Sequence, residues 1–241
     1  MTLSPNIIEV QDLQFRWRSH SAFTLDVPAL SIRRGERVFI EGASGSGKST
    51  LLSLLAGVVV PDEGDIAVLG RSTRSLRAAA RDRFRADHIG FIFQMFNLIP
   101  YLSVLENTVL PCWFSAVRRT KALNHAASLE QEGERLLAHL DLAGAGSLDR
   151  PVAELSVGQQ QRVAAARALI GGPEIVIADE PTSSLDADRR TAFLNLLFQE
   201  CRAAQATLVF VSHDTSLAGL FDRTLSLAEI NRARCMAEKL F

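Results

Sequence analysis

The residues best suited to chemistry in this sequence form a glycine-rich segment at residues 42–49, which follows the spacing G-x-x-x-x-G-K-[ST]. Glycines in such a loop let the backbone turn its N–H groups toward a phosphate chain, and a helix that begins there adds the positive end of its dipole. Lys48 can reach the β- and γ-phosphates, and the Ser49 hydroxyl can ligate Mg²⁺. The segment predicts a loop that binds a nucleoside triphosphate, the alternative being a glycine-rich turn that matches by chance.

A pair of carboxylates, Asp179 and Glu180, follows four apolar residues at 175–178. Such a run is typical of a buried central strand, so both carboxylates are expected where that strand ends. Asp179 would hold Mg²⁺, usually through water, and Glu180 would act as the base or polariser of an attacking water. The alternative is a strand that ends in two solvated acids, which the upstream phosphate loop makes the weaker interpretation.

Other polar motifs gain meaning only from their order along the chain. Gln94 follows an apolar run, Ser156 precedes a glycine and a glutamine in what reads as a helix start, and His213 comes just after a strand. Taken singly, these residues indicate an ordinary glutamine, a helix cap and a structural histidine.

The elements that must position these residues can also be read from the sequence. Residues 37–41 form a short β-rich run that leads into the glycine-rich loop, and a helix should begin at about Lys48 and bury Leu51, Leu52, Leu54 and Leu55. Further on, residues 159–170 predict a helix, and residues 174–178 and 208–211 predict buried strands. Strands that alternate with helices predict a parallel sheet covered on both faces.

Residues 95–146 differ in character and read as an inserted helical lobe. The sequence S-x-x-E that starts at Ser103 is a capping box, which predicts a helix start there. Leu136, Leu137 and Leu140 form one face of a later helix that should stop near Gly144. Residues 95–101 are apolar in a stretch expected at the surface, which suggests either a docking site for a partner or packing within the lobe.

In this order, the motifs resemble the ATP-binding cassette of the ABC ATPases over nearly the whole chain. The resemblance implies an α/β fold of the P-loop NTPase type, with a RecA-like parallel sheet core, an N-terminal antiparallel β subdomain and an inserted α-helical subdomain. We expect a single domain over residues 1–241, in which residues 1–94 and 160–241 form the nucleotide-binding core with the β subdomain. Residues 95–159 would form the helical subdomain that carries the signature motif.

The resemblance also implies the role of each site residue. The catalytic group would comprise Glu180, His213, Gln94 and Lys48, and Mg²⁺ would be held by Ser49, Gln94 and Asp179. ATP would contact Gly42, Ala43, Ser44, Gly45, Ser46, Gly47, Lys48, Ser49 and Thr50, with Trp17 stacked on adenine. Phe15 competes with Trp17 for that stacking role, and core packing is the alternative for whichever loses.

A second set of residues would act across a dimer interface. By resemblance, Ser156, Gly158 and Gln159 belong to the signature motif, which meets the γ-phosphate of the nucleotide held by the opposite subunit. Residues 184–186 match the D-loop, so Asp186 is expected at the same interface. Val157 departs from the commonest signature, LSGGQ, although it keeps its backbone N–H.

Composition limits the class of partner. A net charge of -1 gives no electrostatic footprint for nucleic acid, and the three cysteines contain no C-x-x-C pair. A local basic run, Arg71, Arg74, Arg77, Arg81, Arg83 and Arg85, suggests a solvated face or else contact with anionic lipid or a partner. The start of the chain lacks a secretory pattern, and the apolar residues 51–60 are too few to cross a bilayer. We expect a cytoplasmic chain, peripheral on the inner face of the cell membrane.

One phosphate loop and one signature in each chain imply a dimer, because a signature cannot reach its own nucleotide. Two identical copies, or this chain and a sibling cassette, would pair head-to-tail around two Mg-ATP and drive a separate transmembrane permease subunit. Residues 89–94, 97–100, 105–107, 160–164 and 178–182 resemble the group that serves lipoprotein release, macrolide-type export and division. The alternatives are a non-transport ABC ATPase, as in repair or translation, and a regulatory scaffold with slow hydrolysis.

Overall fold

The computed structural model describes residues 4–17, 22–142, 148–183 and 185–233. The strands are β1 (Asn6–Phe15), β2 (Leu25–Arg33), β3 (Arg37–Glu41), β4 (Glu63–Val68), β5 (Arg71–Ser72), β6 (Ile89–Ile92), β7 (Ile175–Asp179), β8 (Thr207–Ser212) and β9 (Arg223–Ser226). The helices are α1 (Lys48–Leu55), α2 (Ala78–His88), α3 (Val104–Val109), α4 (Pro111–Phe114), α5 (Ala116–His125), α6 (Leu129–His139), α7 (Val157–Leu169), α8 (Ala187–Ala203) and α9 (Leu227–Ile230). The chain divides into two compact units, the first of residues 1–85 and 209–241 and the second of residues 86–208.

The first unit contains an antiparallel sheet with the strand order β2-β1-β4-β5. In β1, the buried residues Val10 and Leu13 are three positions apart, which a regular strand would place on opposite faces. The pairing with β4 shifts register between Gln11 and Gln14, and this irregularity returns Leu13 to the buried face. A side chain at Gly64 would lie 2.2 Å from the Asp12 carbonyl oxygen, so only glycine fits opposite the shift.

The first unit also positions the glycine-rich loop. Strand β3 pairs in parallel with β9, and its three central residues are fully buried. The chain leaves β3 through residues 42–47 and enters α1, which buries the four predicted leucines. The predicted strand and helix on either side of the loop are therefore confirmed.

In the second unit, β6 pairs in parallel with β7, with Ile89 opposite Ile175 and Ile92 opposite Ala178. Residues 175–178 are all fully buried, as predicted for a central strand. A side chain at Gly90 would lie 2.1 Å from the Ala168 carbonyl oxygen, so β6 and α7 are in backbone contact. This close packing sets the position of α7 on the strand that leads to Gln94.

Helices occupy the segment predicted to be helical. Helix α3 begins after Ser103, whose side chain accepts a hydrogen bond from Glu106 N at 3.0 Å, and the capping box is confirmed. Leu136, Leu137 and Leu140 are buried as predicted, and the expected stop at Gly144 lies outside the described residues. The predicted subdomain boundaries, at residues 94/95 and 159/160, stay a prediction.

A buried arginine anchors the end of α7. Arg118 on α5 donates from Nε to the Ile170 carbonyl oxygen at 2.8 Å and from Nη2 to the Ala168 carbonyl oxygen at 2.7 Å. Burial lowers the pKa of Arg118 to about 10, so the side chain is still cationic at neutral pH. A cation at a helix C-terminus is stabilised by the helix dipole and by the last carbonyl groups.

Candidate nucleotide site

The glycine-rich loop has a backbone that only glycine adopts easily. Gly45 and Gly47 have φ angles of +72° and +100°, the left-handed region that side chains disfavour. Ser46 N donates to the Ala43 carbonyl oxygen at 3.1 Å, which closes a tight turn ahead of α1. A side chain at Gly42 would lie 2.7 Å from Ser46 Oγ, so a larger residue there would displace the Ser46 hydroxyl.

Lys48 and Ser46 give the loop its polarity. The buried Lys48 ammonium donates to the carbonyl oxygens of Gly42 and Ala43 at 2.7 and 3.0 Å. Ser46 Oγ is buried and has no hydrogen-bond partner within the described part of the chain. A cation folded into a loop beside an unsatisfied hydroxyl, at the N-terminus of α1, is an arrangement that fits a bound phosphate chain.

Trp17 lies against the first turn of α1. Its Nε1 donates to Thr50 Oγ1 at 3.4 Å, and its ring meets the Phe15 ring edge-on with 5.1 Å between centroids. Trp17 is 42% exposed whereas Phe15 is 6% exposed. Phe15 is therefore a core residue, and Trp17 is the aromatic side chain with an open surface.

Asp179 and Glu180 lie where β7 ends. Asp179 is the last residue of the strand, and Glu180 is buried with a φ of +47°. A left-handed residue other than glycine costs about 1–2 kcal/mol. Such strain is often found at functional sites, where the surrounding structure holds the residue in place.

The predicted signature residues begin α7. Ser156 is the N-cap, with its side chain accepting from Gln159 N and the Gln159 side chain accepting from Ser156 N. Ser156 is exposed, as is the apolar Val157. A side chain added at Gly158 would meet only Leu185 Cδ2 at 3.8 Å, an ordinary contact. The fold of this chain leaves room at Gly158 for a methyl group.

The remaining predicted residues follow strands or cap helices. Gln94 is exposed two residues after β6, and His213 is exposed directly after β8. Asp186 caps α8 by accepting from Arg189 N at 2.9 Å, while Ser184 lies outside the described residues. The first unit contains Trp17, residues 42–50 and His213, and the second contains Gln94, Ser156, Gly158, Gln159, Asp179, Glu180 and Asp186. The roles of these residues stay predictions.

Much of the basic run is engaged in local contacts. Arg81 donates to the carbonyl oxygens of Gly57 and Leu76, and Arg74 donates to that of Gly64. The Arg71 guanidinium lies 5.8 Å from the centroid of the Phe84 ring. These arginines hold backbone and ring groups of the first unit, a use that the spacing of charges alone did not indicate. Within the described ranges, no helix has the length and apolar character needed to span a membrane.

Comparison with known proteins identifies the family. The model of the family described as "ABC transporter" matches residues 25–183. The uncharacterized ABC transporter ATP-binding protein YbbA of Escherichia coli strain K12 is 40% identical over 225 residues, which cover 92% of this chain and 94% of that protein. The lipoprotein-releasing system ATP-binding protein LolD of Xylella fastidiosa strain Temecula1 is 39% identical over 198 residues, covering 82% of this chain and 79% of LolD.

A solved structure supports the same conclusion. The ATP-binding cassette MJ0796, in a dimeric post-hydrolysis state bound to ADP and Pi, superposes with a TM-score of 0.76. It is 33% identical, and the match covers 91% of this chain and 93% of that one. The α/β P-loop NTPase fold is thereby confirmed. The chain belongs to the ABC transporter family as an ATP-binding cassette, and it is an ATPase.

Proposed function

We propose that this chain is the motor subunit of an ABC transporter of the export or lipoprotein-release type, which binds and hydrolyses ATP to drive a separate permease. The preformed phosphate loop carries the proposal, because Lys48 and the unsatisfied Ser46 hydroxyl lie in it at the start of α1. The transport class follows from likeness to a cassette named for lipoprotein release.

The proposed roles follow from the chemistry of each side chain. Residues 42–50 bind the phosphates, and Trp17 stacks on adenine because its ring is open while that of Phe15 is buried. The hydroxyl of Ser49, the amide oxygen of Gln94 and the carboxylate of Asp179 would hold Mg²⁺, since oxygen ligands are those that Mg²⁺ prefers. When bound, Mg²⁺ neutralises charge on the phosphates.

Glu180 is the proposed base. Its carboxylate polarises the attacking water or takes a proton from it, and its buried, left-handed position limits the freedom of the side chain. His213 contacts the γ-phosphate, and Gln94 responds to the presence of that phosphate. These assignments transfer the family roles to the matching positions of this chain.

The proposed assembly is a head-to-tail homodimer around two ATP molecules. Ser156 is exposed and Gly158 has open space beside it, so this end of α7 can approach a nucleotide held by a second copy. Asp186 caps an exposed helix start and would lie at the same interface. The dimeric state of the MJ0796 cassette with ADP and Pi supports this assembly.

The proposed location is the cytoplasmic face of the inner membrane, where a permease would hold the cassette. Met95 and Tyr101, 80% and 79% exposed, are the proposed contacts with that permease. Apolar side chains exposed to this degree within one short segment favour a protein interface.

The Glu180→Gln variant tests the proposal. It should bind Mg-ATP with unchanged affinity, lose hydrolysis by about 100-fold or more, and form a stable dimer with ATP. Filter binding, phosphate release and size-exclusion chromatography with light scattering measure the three properties. Glu154→Gln, at an exposed acid, is the matched control and should behave as the wild type. Hydrolysis by Glu180→Gln at the normal rate would refute the assignment of the base.

A further inference from the structure

The segment that follows Gln94 has an unusual backbone. Phe96 and Asn97 are consecutive residues in the left-handed region, with φ angles of +58° and +49°. Phe96 is a bulky residue for which this conformation is rare, whereas asparagine adopts it more readily. Phe96 N donates to the Phe93 carbonyl oxygen at 2.9 Å, and Asn97 N donates to the Met95 carbonyl oxygen at 2.6 Å. The carbonyl groups of Phe96 and Asn97 need donors of their own.

Arg167 satisfies both carbonyl groups. Its Nη2 donates to the Phe96 carbonyl oxygen at 2.5 Å, and its Nη1 donates to the Asn97 carbonyl oxygen at 2.7 Å. Burial lowers the pKa of Arg167 to about 10, so the guanidinium is charged at neutral pH. Hydrogen bonds from a charged fork to two acceptors are stronger and more directional than neutral ones.

A second side chain fixes the rest of the segment. Asn107, fully buried on α3, accepts from Ile99 N at 2.8 Å and donates to the carbonyl oxygens of Ile99 and Leu102 at 3.0 and 3.2 Å. The segment from Gln94 to α3 is thus held at its beginning by Arg167 and at its end by Asn107. The two hydrogen bonds from Arg167 tie it to α7.

We propose that Arg167 is a positioning residue that couples the segment after Gln94 to the helix that starts at Ser156. Arg167 lies in the last turn of α7 and Ser156 caps the first, so one rigid helix of about 20 Å connects the two. Displacement of Gln94 on binding the γ-phosphate then moves the signature end of α7 with it. The coupling rests on the proposed function, since it uses the roles given there to Gln94 and Ser156.

Hydrogen–deuterium exchange tests the contact itself, independently of ATP hydrolysis. Arg167→Gln should speed exchange of the amides at residues 95–98 by about tenfold or more, because the left-handed turn loses the two hydrogen bonds from the guanidinium. Arg167→Lys should restore part of the protection, since an ammonium group can donate to one carbonyl at a time. Arg162→Gln is the matched control, because Arg162 lies on the same helix and bonds instead to Asp141 Oδ2 at 3.2 Å. Wild-type protection in Arg167→Gln would overturn the proposal.

A double-mutant cycle on ATP turnover tests the coupling to Gln94. Arg167→Gln should lower kcat by about tenfold with KM for ATP within about twofold, because the phosphate loop is untouched. If Arg167 acts through Gln94, the Gln94→Ala/Arg167→Gln variant should be no slower than Gln94→Ala. Losses that multiply would overturn the coupling, as would a normal kcat for Arg167→Gln.

The two experiments separate the inference from the proposed function. A normal kcat for Gln94→Ala would refute the role of Gln94 and therefore the coupling, whatever the exchange result. If the amides at residues 95–98 also exchange faster in Arg167→Gln, Arg167 holds the backbone of this segment but has a structural role only. Normal thermal unfolding of each variant shows that the comparison is made on folded protein.

Discussion

At the scale of single residues, two glycines of this chain show different requirements. Gly171 has a φ of +71°, and a side chain there would lie 2.5 Å from the Arg118 carbonyl oxygen, so the fold itself demands glycine. Gly158, in the first turn of α7, has neither constraint from the described residues. The described part of the chain thus gives no reason for glycine at position 158, and we infer that the nucleotide bound by a second copy provides it.

The Gly158→Ala variant should separate the two requirements. We expect unchanged or slightly higher thermal stability, unchanged ATP binding to the phosphate loop, and turnover lower by about tenfold or more, which equals about 1.4 kcal/mol in the barrier. Calorimetry and phosphate release provide the measurements. Gly171→Ala is the control and should lower the melting temperature. A Gly158→Ala variant with wild-type turnover would contradict the proposed role of the signature.

At the scale of elements, α3 and α7 begin with the same device. Both start with a serine N-cap and a reciprocal capping box, formed with Glu106 in α3 and with Gln159 in α7. The side chain of Ser103 accepts at 3.0 Å and that of Ser156 at 3.4 Å. Only Ser156 is proposed to contact a nucleotide, so Ser103 serves as a control for the effect of capping alone.

Alanine substitution of the two caps should therefore give unequal results. Ser103→Ala and Ser156→Ala should each lower the free energy of unfolding by about 1 kcal/mol, the usual value of a serine cap. Ser156→Ala alone should also reduce ATP turnover, because it removes a hydroxyl proposed to contact phosphate. Urea unfolding and phosphate release measure the two effects. Equal turnover in the two variants would show that Ser156 is only a cap.

The same elements show which features could be predicted from the sequence. The capping box at Ser103, the strand at residues 37–41 and helix α1 depend on neighbouring residues, so their patterns were sufficient. The contacts of Arg167 with Asn97 join residues 70 positions apart and use backbone oxygens, which leave no mark on residue type. The same holds for Arg118, whose acceptor at Ile170 is 52 positions away.

Helix α7 shows both cases within one element. Its start at Ser156 follows from a local motif, while its end is fixed by arginine contacts that the sequence did not reveal. For the candidate site, the motifs predicted a set of residues but not their conformations. The buried, left-handed state of Glu180 appeared only in the structure, because the packing around β7 produces it.

At the scale of the whole molecule, the question is what this ATPase drives. Arg167 and Asn107 fix the backbone of the segment after Gln94, and the side chains of Met95 and Tyr101 are left exposed. A rigid backbone that presents apolar side chains loses little conformational entropy on binding, which favours a docking surface. The permease proposed above is the partner that such a surface would serve.

Charged substitutions on this segment should uncouple the chain from its permease. The double substitution Met95→Asp and Tyr101→Asp places two acids on the proposed interface. A tagged Glu180→Gln chain that carries both substitutions should therefore no longer recover a membrane protein from detergent-solubilised membranes with ATP. Without Glu180→Gln, the pair should hydrolyse ATP normally in solution, because neither side chain is assigned to the nucleotide. Val58→Asp, at another exposed apolar side chain, is the control and should retain the membrane protein. Equal recovery of the membrane protein with all variants would place the permease contact elsewhere. If the tagged Glu180→Gln chain itself recovered no membrane protein, the result would favour an ABC ATPase that works away from transport.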